Sequence, residues 1–498
     1  MSIDLSLDRL KQLLPYLPYT RPTLHIAGTN GKGSVSALLT SILMASGPPI
    51  RVGRFNSPHL VSVLDSITIN NVDVSEEIYN TVRQNVQDVD HEQGTKLTGF
   101  EILTLAALRI FETQDVDLVV LEVGLGGRLD ATNIVPSSCI LVSALTSVDL
   151  DHQAFLGDTV ALIAREKAAI AREKKPFILG RQLHPEVESV AKEIVQHVGG
   201  AFRHASKISV PEQPLSEWSL LDDSASTGPP SNTVSFQLSA FDAPVEAQFP
   251  LQGAHQIDNL GTALGVINAL LSFDYSESSL VHAIKIKERI TPDSVVHGIA
   301  NVKWRGRLSF HSFSISSLGS SSPTKLTVLA DGAHNPASAK TLGAYVTSLL
   351  EQTSQESNVE ITVPITYILS LSHSPPKTPL QTLSPILPPS SGSASAKLTL
   401  RTSVALLPFS PPEGMPWVKP VALDTMNETV RALLPDIGDE NLWMAPQGEI
   451  EKLGSNGLKE ALKWAAMRHG KDRGLVVIAG SLYLVADFYR VLNGAVGA

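Results

Sequence analysis

The sequence contains almost no cysteine and no long hydrophobic run. Cys139 is the single cysteine among 498 residues, so the chain has no internal disulfide framework. This fits a reducing compartment such as the cytoplasm, with a mitochondrial pool left open. No stretch approaches the roughly 18 uninterrupted apolar residues of a membrane span, and the first residues, with Asp4 and Asp8, do not resemble a signal peptide. We therefore expect a protein with no membrane association.

Positive charge is also scarce. The 39 Lys and Arg residues are outnumbered by 49 Asp and Glu residues, and the formal net charge is −10. No basic block offsets this excess, which argues against a nucleic-acid partner. The composition of 43% hydrophobic and 18% charged residues is typical of globular proteins, and 498 residues exceed one ordinary core. Two or three domains are therefore expected.

The sequence does contain a glycine-rich turn between an apolar run and a helical pattern. Residues 24–27 predict a buried strand, and the turn GTNGKGS follows at 28–34. Strand, glycine-rich turn and helix together cradle phosphate, because backbone N–H groups and the positive end of the helix face the anion. Lys32 would lie against the β- and γ-phosphates, and Ser34 would reach a magnesium ion. The spacing is imperfect because Gly33 intervenes, so an ordinary turn is the competing interpretation.

Polar residues follow other predicted strands, at the edge where α/β sheets build their sites. Glu122 closes an apolar strand at 116–123, where an acidic side chain is costly to bury without a cation. Beside a phosphate-binding turn this position indicates a carboxylate directed at magnesium, although a solvated strand end is the simpler alternative. His152, after a strand at 140–145, is equally a surface histidine or a metal ligand.

Three further segments allow two interpretations each. Ser57, before Pro58, is by itself more easily a turn residue than a ligand, and Lys167 by itself is a solvated helical lysine. Thr98 and Glu101 have the spacing of a capping box at the start of a helix, which competes with a ligand role for Phe100 and Glu101.

Strands and helices alternate along the first part of the chain, which predicts a doubly wound parallel sheet. A boundary is expected near 293–303, followed by a smaller α/β domain with strands at 325–330, 361–371, 397–406 and 474–479. Residues 207–235 are expected to form a surface excursion. Residues 372–395 are rich in Ser and Pro, so disorder is predicted there.

Six segments then occur in order: GTNGKGS at 28–34, SPHL at 57–60, EVGLGGRLDATN at 122–133, LDH at 150–152, EKA at 166–168 and DGAHN at 331–335. Together they resemble the folylpolyglutamate synthase/dihydrofolate synthase family, of the Mur-ligase type, over nearly the whole chain. The displaced Ser34 is that family's own variant of the turn. Asn30 and the run LDATN at 129–133 resemble the members, monofunctional in fungi, that accept dihydropteroate.

The resemblance implies an α/β fold of two domains. Residues 1–297 would form an ATP-binding Mur-ligase-like domain with a P-loop and a doubly wound parallel sheet. Residues 298–498 would form a smaller Rossmann-like, glutamate-ligase-like domain. The implied activity is an ATP-dependent C–N ligase that joins L-glutamate to 7,8-dihydropteroate through an acyl phosphate, acting as a monomer. The alternatives are a folylpolyglutamate synthase that extends tetrahydrofolate, and a nucleotide-gated regulatory protein that no longer ligates.

The resemblance also implies residue roles. ATP would be held by Gly31, Lys32, Gly33, Ser34, Asn259, Arg307 and Asp331, and the catalytic residues would be His152, Lys167, Asp331 and His334. Magnesium, expected at two sites, would be bound by Ser57, Glu122 and His152, with Lys167 carboxylated on its amine. The pterin would be bound by Asp4, Leu5, Ser6, Leu7, Thr98, Gly99, Phe100, Glu101, Leu129, Asp130 and Ala131.

Overall fold

The computed structural model describes residues 6–211, 218–222, 228–275, 284–318, 324–356, 360–387, 398–412, 415, 417–446 and 450–496. The chain divides into two units, the first of Met1–Glu212 with Ser231–Lys303 and the second of Gln213–Pro230 with Trp304–Ala498. The main part of the second unit thus begins at Trp304, whereas the sequence analysis placed the boundary between residues 297 and 298. The second unit also includes Gln213–Pro230, which interrupts the first unit along the chain. No helix in the described ranges is long and apolar enough to cross a membrane.

The first unit is built on an eight-stranded sheet in the order β4-β3-β2-β5-β1-β6-β7-β8. Its strands are β1 (Thr23–Ala27), β2 (Val52–Phe55), β3 (Ile67–Ile69), β4 (Val72–Asp73), β5 (Leu118–Glu122), β6 (Ile140–Leu145), β7 (Pro176–Leu179) and β8 (Ala201–His204). In this order, the six strands β2-β5-β1-β6-β7-β8 pair in parallel. Strands β3 and β4 form an antiparallel edge beside β2. Every residue of β1 and β5 is buried, as expected for parallel strands covered on both faces.

The helices of the first unit are α1 (Asp8–Leu13), α2 (Lys32–Met44), α3 (Glu76–Gln93), α4 (Gly99–Thr113), α5 (Gln153–Leu156), α6 (Val160–Ala168), α7 (Pro185–Val198), α8 (Ala254–Ser272), α9 (Ile286–Arg289) and α10 (Pro292–Ala300). A separate antiparallel sheet in the order β11-β10-β9 contains β9 (Ile208–Ser209), β10 (Asn232–Phe236) and β11 (Val245–Phe249). In β11 buried and exposed residues alternate, the mark of a strand with one face on the core. Within the expected surface excursion at 207–235, β9 and the first residues of β10 form regular structure, and residues 212–217 and 223–227 lie outside the described ranges.

The second unit is a six-stranded sheet in the order β12-β13-β17-β14-β15-β16, parallel except for β12. Its strands are β12 (Ser309–Ser314), β13 (Lys325–Ala330), β14 (Ile361–Leu369), β15 (Leu398–Leu406), β16 (Leu442–Met444) and β17 (Leu475–Ala479). Its helices are α11 (Pro336–Glu356), α12 (Pro379–Leu383), α13 (Leu423–Leu433), α14 (Ile450–His469) and α15 (Leu482–Val496). The two sheets confirm the predicted α/β class.

The disorder predicted for 372–395 is wrong for 372–387, because this segment contains α12. The Thr378 hydroxyl accepts a hydrogen bond from Gln381 N at the start of that helix, and Leu383 is fully buried. Capping and burial together order the segment despite its Ser/Pro-rich composition. Residues 388–395 lie outside the described ranges.

The strand order of the first unit determines which loops share an edge. Strand β1 lies between β5 and β6, and β2 pairs with β5, all in parallel. The carboxyl ends of these four strands therefore meet at one edge, where open α/β sheets bind ligands. The turn after β1, Asn56 after β2, Glu122 at the end of β5 and the loop after β6 all lie there.

Candidate active site

The glycine-rich turn folds as the sequence predicts, with β1, the turn and α2 in succession. Gly31 has φ +94°, and α2 begins at Lys32. Lys32 Nζ donates to the carbonyls of Gly28 and Thr29 over 3.1 and 3.2 Å and lies 3.9 Å from Glu122 Oε1. The ammonium is thus held over the turn, beside a carboxylate from the neighbouring strand.

The first turn of α8 packs against the same turn. Gln256 Nε2 donates to Ser34 Oγ over 3.2 Å, and its Oε1 accepts from Asn259 Nδ2 over 3.0 Å. All three side chains are buried, and a Cβ at Gly31 would overlap Asn259 Oδ1. Sequence analysis missed Gln256, although its spacing of three residues from Asn259 places both on one helix face.

Glu122 lies at the buried end of β5, where Asn56 Nδ2 donates to its Oε2 over 2.5 Å. Ser57, which follows Asn56 in the chain, has a buried hydroxyl oxygen with no hydrogen-bond partner in the described structure. Within those ranges no three His, Cys, Asp or Glu side chains lie together as a metal site. Magnesium is commonly held by one or two carboxylates, waters and substrate phosphates, so Glu122 and Ser57 fit such an ion as partial protein ligands.

His152 and Lys167 differ strongly in their surroundings. His152 has φ +53° at the start of α5; its ring is about half exposed, and its Nε2 lies 4.0 Å from Asp151 Oδ2. Lys167 is buried, and its Nζ donates to the Gly28 carbonyl over 3.0 Å. Burial, reinforced by the nearby Lys32 charge, lowers the pKa of Lys167 to about 7. Lys167 is therefore not the solvated lysine that its sequence position alone suggests.

The depressed pKa of Lys167 predicts a specific pH dependence of stability. Between pH 7 and 10.5 the unfolded chain keeps a proton at this amine that the folded chain has lost. The free energy of unfolding should therefore rise with pH over that window, by at most about 1.4 kcal/mol per pH unit. Below pH 7 both states hold the proton, so the destabilisation from burying the charged amine is fully present. Urea denaturation in CO2-free buffer should show this rise relative to Lys167→Met. The exposed-lysine variant Lys192→Met should keep it, and parallel curves for wild type and Lys167→Met would contradict the prediction.

The loop after β5 is shaped by a buried carboxylate. Asp130 accepts hydrogen bonds from the backbone N–H groups of Leu125 and Thr132 over 2.7 and 3.0 Å. Burial raises the pKa of Asp130, and these donors partly offset that effect. Asp130 therefore holds the loop in shape. A Cβ at Gly124 would overlap the Phe100 ring, so the glycine allows that ring to lie over the end of β5.

The capping interpretation of Thr98 and Glu101 is confirmed. Thr98 Oγ1 accepts from Glu101 N over 3.3 Å, and Glu101 Oε2 accepts from Thr98 N over 2.7 Å. Glu101 Oε1 also accepts from Arg9 Nη2 over 3.1 Å, so both oxygens of this carboxylate are engaged.

Of the other residues assigned to the pterin by resemblance, some lie at an apolar cluster and two lie outside the described residues. Leu7 packs against the apolar cluster that also contains Phe100 and Ala131, and Ala131 is buried. Ser6, Gly99 and Leu129 lie in the described structure, with Gly99 opening α4. Asp4 and Leu5 lie outside the described residues.

In the second unit, Asp331 organises the turn after β13. Its two oxygens accept from Leu308 N and Ala333 N, each over 2.8 Å, and burial raises its pKa while Arg307 counteracts this. Arg307 Nη1 donates to the Gly306 carbonyl over 2.9 Å, and a Cβ at Gly332 would crowd that guanidinium. Asp331 thus joins the two predicted ATP-contacting segments of this unit.

A cavity of about 340 Å³ adjoins His334 in the same unit. Its polar lining includes His334, Ser372, His373, Lys377, Thr378 and Thr425, and none of the described residues that line it is acidic. His334 Nδ1 lies 2.8 Å from the Gly332 carbonyl, so Nδ1 carries the hydrogen of this bond. The cavity suits a small anion. Sequence analysis missed Lys377 and His373 because the loop at 372–379 matched no pattern.

Comparisons with known proteins show which family and fold this chain resembles. A family model described as "Dihydrofolate synthetase, C-terminal domain" matches residues 314–491. The dihydrofolate synthetase of Saccharomyces cerevisiae is 31% identical over 99% of both chains, and the probable dihydrofolate synthetase of Schizosaccharomyces pombe is 30% identical over 99% of both chains. The crystal structure of Escherichia coli FolC in complex with DHPP and ADP has a TM-score of 0.69 at 25% identity, covering 99% of this chain and 94% of that one.

Proposed function

This chain belongs to the dihydrofolate synthetase family, and from that premise we propose that its site joins L-glutamate to 7,8-dihydropteroate at the expense of ATP. The observation that carries the proposal is the end-to-end match to the yeast dihydrofolate synthetase. The geometry supports it, because Lys32 and Glu122 lie together beside a phosphate-binding turn. The products are dihydrofolate, ADP and phosphate.

The reaction needs ATP because a free carboxylate does not react with an amine at neutral pH. The dihydropteroate carboxylate attacks the γ-phosphorus, the bond to ADP breaks, and an acyl phosphate forms. The neutral amine of glutamate then attacks the acyl carbon, phosphate leaves and one proton is released. Lys32 and the backbone N–H groups of the turn, including those of Gly33 and Ser34, stabilise the charge that develops on the transferred group.

A divalent cation completes this site in the proposal. Glu122 and the hydroxyl of Ser57 would hold it, with His152 as a further ligand, and the family resemblance implies a second ion. When bound, the cation neutralises charge on the phosphates and on the transferred group. The support is the buried carboxylate of Glu122 and the unsatisfied buried oxygen of Ser57, since hard oxygen ligands suit magnesium.

We also assign a carboxylated amine to Lys167. A neutral amine is required for reaction with CO2, and a pKa near 7 leaves much of Lys167 neutral at physiological pH. The product is an anion that fits between Lys32 and a bound cation better than the buried ammonium does. Its test is ¹³C NMR in [¹³C]bicarbonate, where a carbamate resonance should be present in wild type and absent in Lys167→Arg.

The pterin is assigned to the end of β5, where the Phe100 ring offers a stacking surface above Gly124. Glu101 and Asp130 shape this place through their backbone hydrogen bonds. ATP contacts are assigned to Asn259 and, in the second unit, to Arg307 and Asp331. The catalytic assignment of His334 rests on its place beside a cavity, with Nδ1 directed to the Gly332 carbonyl; in this role the ring would accept the proton released by the glutamate amine.

The carboxylates of glutamate are assigned to the cavity beside His334. Replacing Lys377 with alanine should raise the KM for glutamate about tenfold or more while changing the KM for ATP less than twofold, because one charge-assisted hydrogen bond contributes about 1.5–3 kcal/mol. Steady-state kinetics with each substrate varied in turn measures both values. The exposed lysine variant Lys340→Ala is the matched control, and an unchanged KM for glutamate in Lys377→Ala would remove the assignment.

One product assay tests the proposed function. Purified protein should form ADP and an amide product only when dihydropteroate and glutamate are both present. ADP formation without amide product would refute ligation. Polyglutamate products from tetrahydrofolate at a comparable rate would instead favour the folylpolyglutamate synthase. We further propose that the protein acts as a cytoplasmic monomer, which sedimentation and fractionation would test.

A further inference from the structure

Asn56 has no role in the function proposed above, yet it holds the carboxylate of Glu122. It directly follows β2, and β2 pairs in parallel with β5, which ends at Glu122. Asn56 Nδ2 donates to Glu122 Oε2 over 2.5 Å, and both residues are only 6% exposed. Water therefore competes little for this hydrogen bond, which fixes the orientation of the carboxylate.

The hydrogen bond makes the two oxygens of Glu122 unequal. Oε2 accepts from the amide of Asn56, whereas Oε1 lies 3.9 Å from Lys32 Nζ, above the phosphate-binding turn. An amide donor adds no charge, so it orients the carboxylate without neutralising it. The amide leaves the charge of the carboxylate unchanged, and Oε1 faces Lys32 on the side of the turn.

Asn56 and Ser57, consecutive residues of the loop after β2, each have a buried oxygen that lacks a hydrogen bond in the described structure. Asn56 Oδ1 is buried with no hydrogen-bond partner in the described part of the chain, and the same holds for the hydroxyl of Ser57. A buried acceptor without a donor destabilises the fold. Two such oxygens on consecutive residues, beside an oriented carboxylate, indicate a bound group that satisfies them.

We propose that Asn56 is a positioning residue for the divalent cation: its Nδ2 turns Glu122 Oε1 toward the ion, and its Oδ1 accepts a hydrogen bond from a water of the ion's hydration shell. Magnesium keeps several waters when it binds protein, and such a water would supply the donor that Asn56 Oδ1 lacks. The proposal rests on the cation site of the proposed function. It adds a positioning residue beside the sequence-derived ligands.

The test measures metal binding directly, with Mn²⁺ as the probe. Full-length protein is titrated with Mn²⁺ in the presence of a non-hydrolysable ATP analogue, and free Mn²⁺ is followed by electron paramagnetic resonance. Asn56→Leu should bind Mn²⁺ about 10- to 100-fold more weakly than wild type, the usual effect of removing a partner of a metal ligand. Asn56→Ala should show the same loss, which covers the case that leucine disturbs folding.

A double-mutant cycle separates positioning from a general effect on the loop. In the Glu122→Gln background, Asn56→Leu should change Mn²⁺ affinity less than threefold, because the carboxylate that it orients is already absent. Affinity for the metal-free nucleotide should stay within twofold of wild type in every variant. Equal losses in both backgrounds, or a parallel loss of metal-free nucleotide binding, would overturn the proposal. Wild-type Mn²⁺ affinity in both Asn56 variants, with amide product still formed by the wild-type protein, would overturn it and leave the ligase function standing.

Discussion

Lys32→Met should lower the rate of amide formation by about 10²- to 10³-fold while the protein remains folded. The ammonium of Lys32 is held over the turn by the Gly28 and Thr29 carbonyls, 3.9 Å from Glu122 Oε1. In the proposed function this ammonium stabilises the charge that grows on the γ-phosphoryl group in the transition state. Methionine keeps the length of the side chain and removes only the charge and its donors.

The measurement is the steady-state rate of product formation with dihydropteroate, glutamate and saturating ATP, together with urea denaturation as a check of folding. Lys192→Met is the matched control, because Lys192 is an exposed residue of α7. The control should have the wild-type rate. A Lys32→Met rate within threefold of wild type would refute the assignment of the turn to phosphate.

Gly31→Ala should raise the KM for ATP at least about 100-fold, because it changes the backbone that receives the phosphates. Gly31 has φ +94°, a conformation that residues with a side chain rarely adopt, and its new Cβ would overlap Asn259 Oδ1. Asn259 is tied to Gln256, and Gln256 to Ser34, so displacement of the amide spreads to the first turn of α2. The hydrogen-bonded contacts on both sides of the turn are lost together.

Gly94→Ala separates this effect from simple backbone strain. Gly94 also has positive φ, +65°, but a Cβ there would meet no atom within 4 Å. Its substitution should cost about 1 kcal/mol of stability and leave the KM for ATP unchanged. Steady-state kinetics with ATP varied measures the KM, and isothermal titration with an ATP analogue measures nucleotide binding separately. If the two variants bind the nucleotide equally well, the packing of α8 against the turn is not needed for nucleotide binding.

The sequence predicts most of what is local in this fold. The bounds expected for the strands at 140–145 and 325–330 coincide with β6 and β13. Strand β6 is buried at every residue, as its largely apolar run predicts, whereas β13 begins with the exposed Lys325. The turn after β1 was equally predictable, since its glycines and the following helix lie within one short segment. The antiparallel sheet of β9, β10 and β11 was missed because its strands are short and the third is widely separated from the first.

The candidate site was predicted only in part. Glu122 and Lys32 were singled out by position after strands and Ser57 only by the family resemblance, but no pattern marked Asn56 or Gln256 as their partners. Whether Glu101 caps a helix could not be decided from sequence, because a capping box and a ligand have the same spacing. Its further partner, Arg9, is 92 residues away and meets it only in the folded chain.

By itself the sequence determined the order of strands, turns and helices and the places where glycine is required, because periodicity and backbone geometry act over a few neighbouring residues. The tertiary structure alone decided which side chains meet. Asn56 reaches Glu122 across 66 residues and Lys167 reaches Gly28 across 139, because the strand order brings four distant loops to one edge. Strand order depends on packing of the whole sheet, which no local pattern encodes, and the same packing makes Lys167 a buried amine of low pKa.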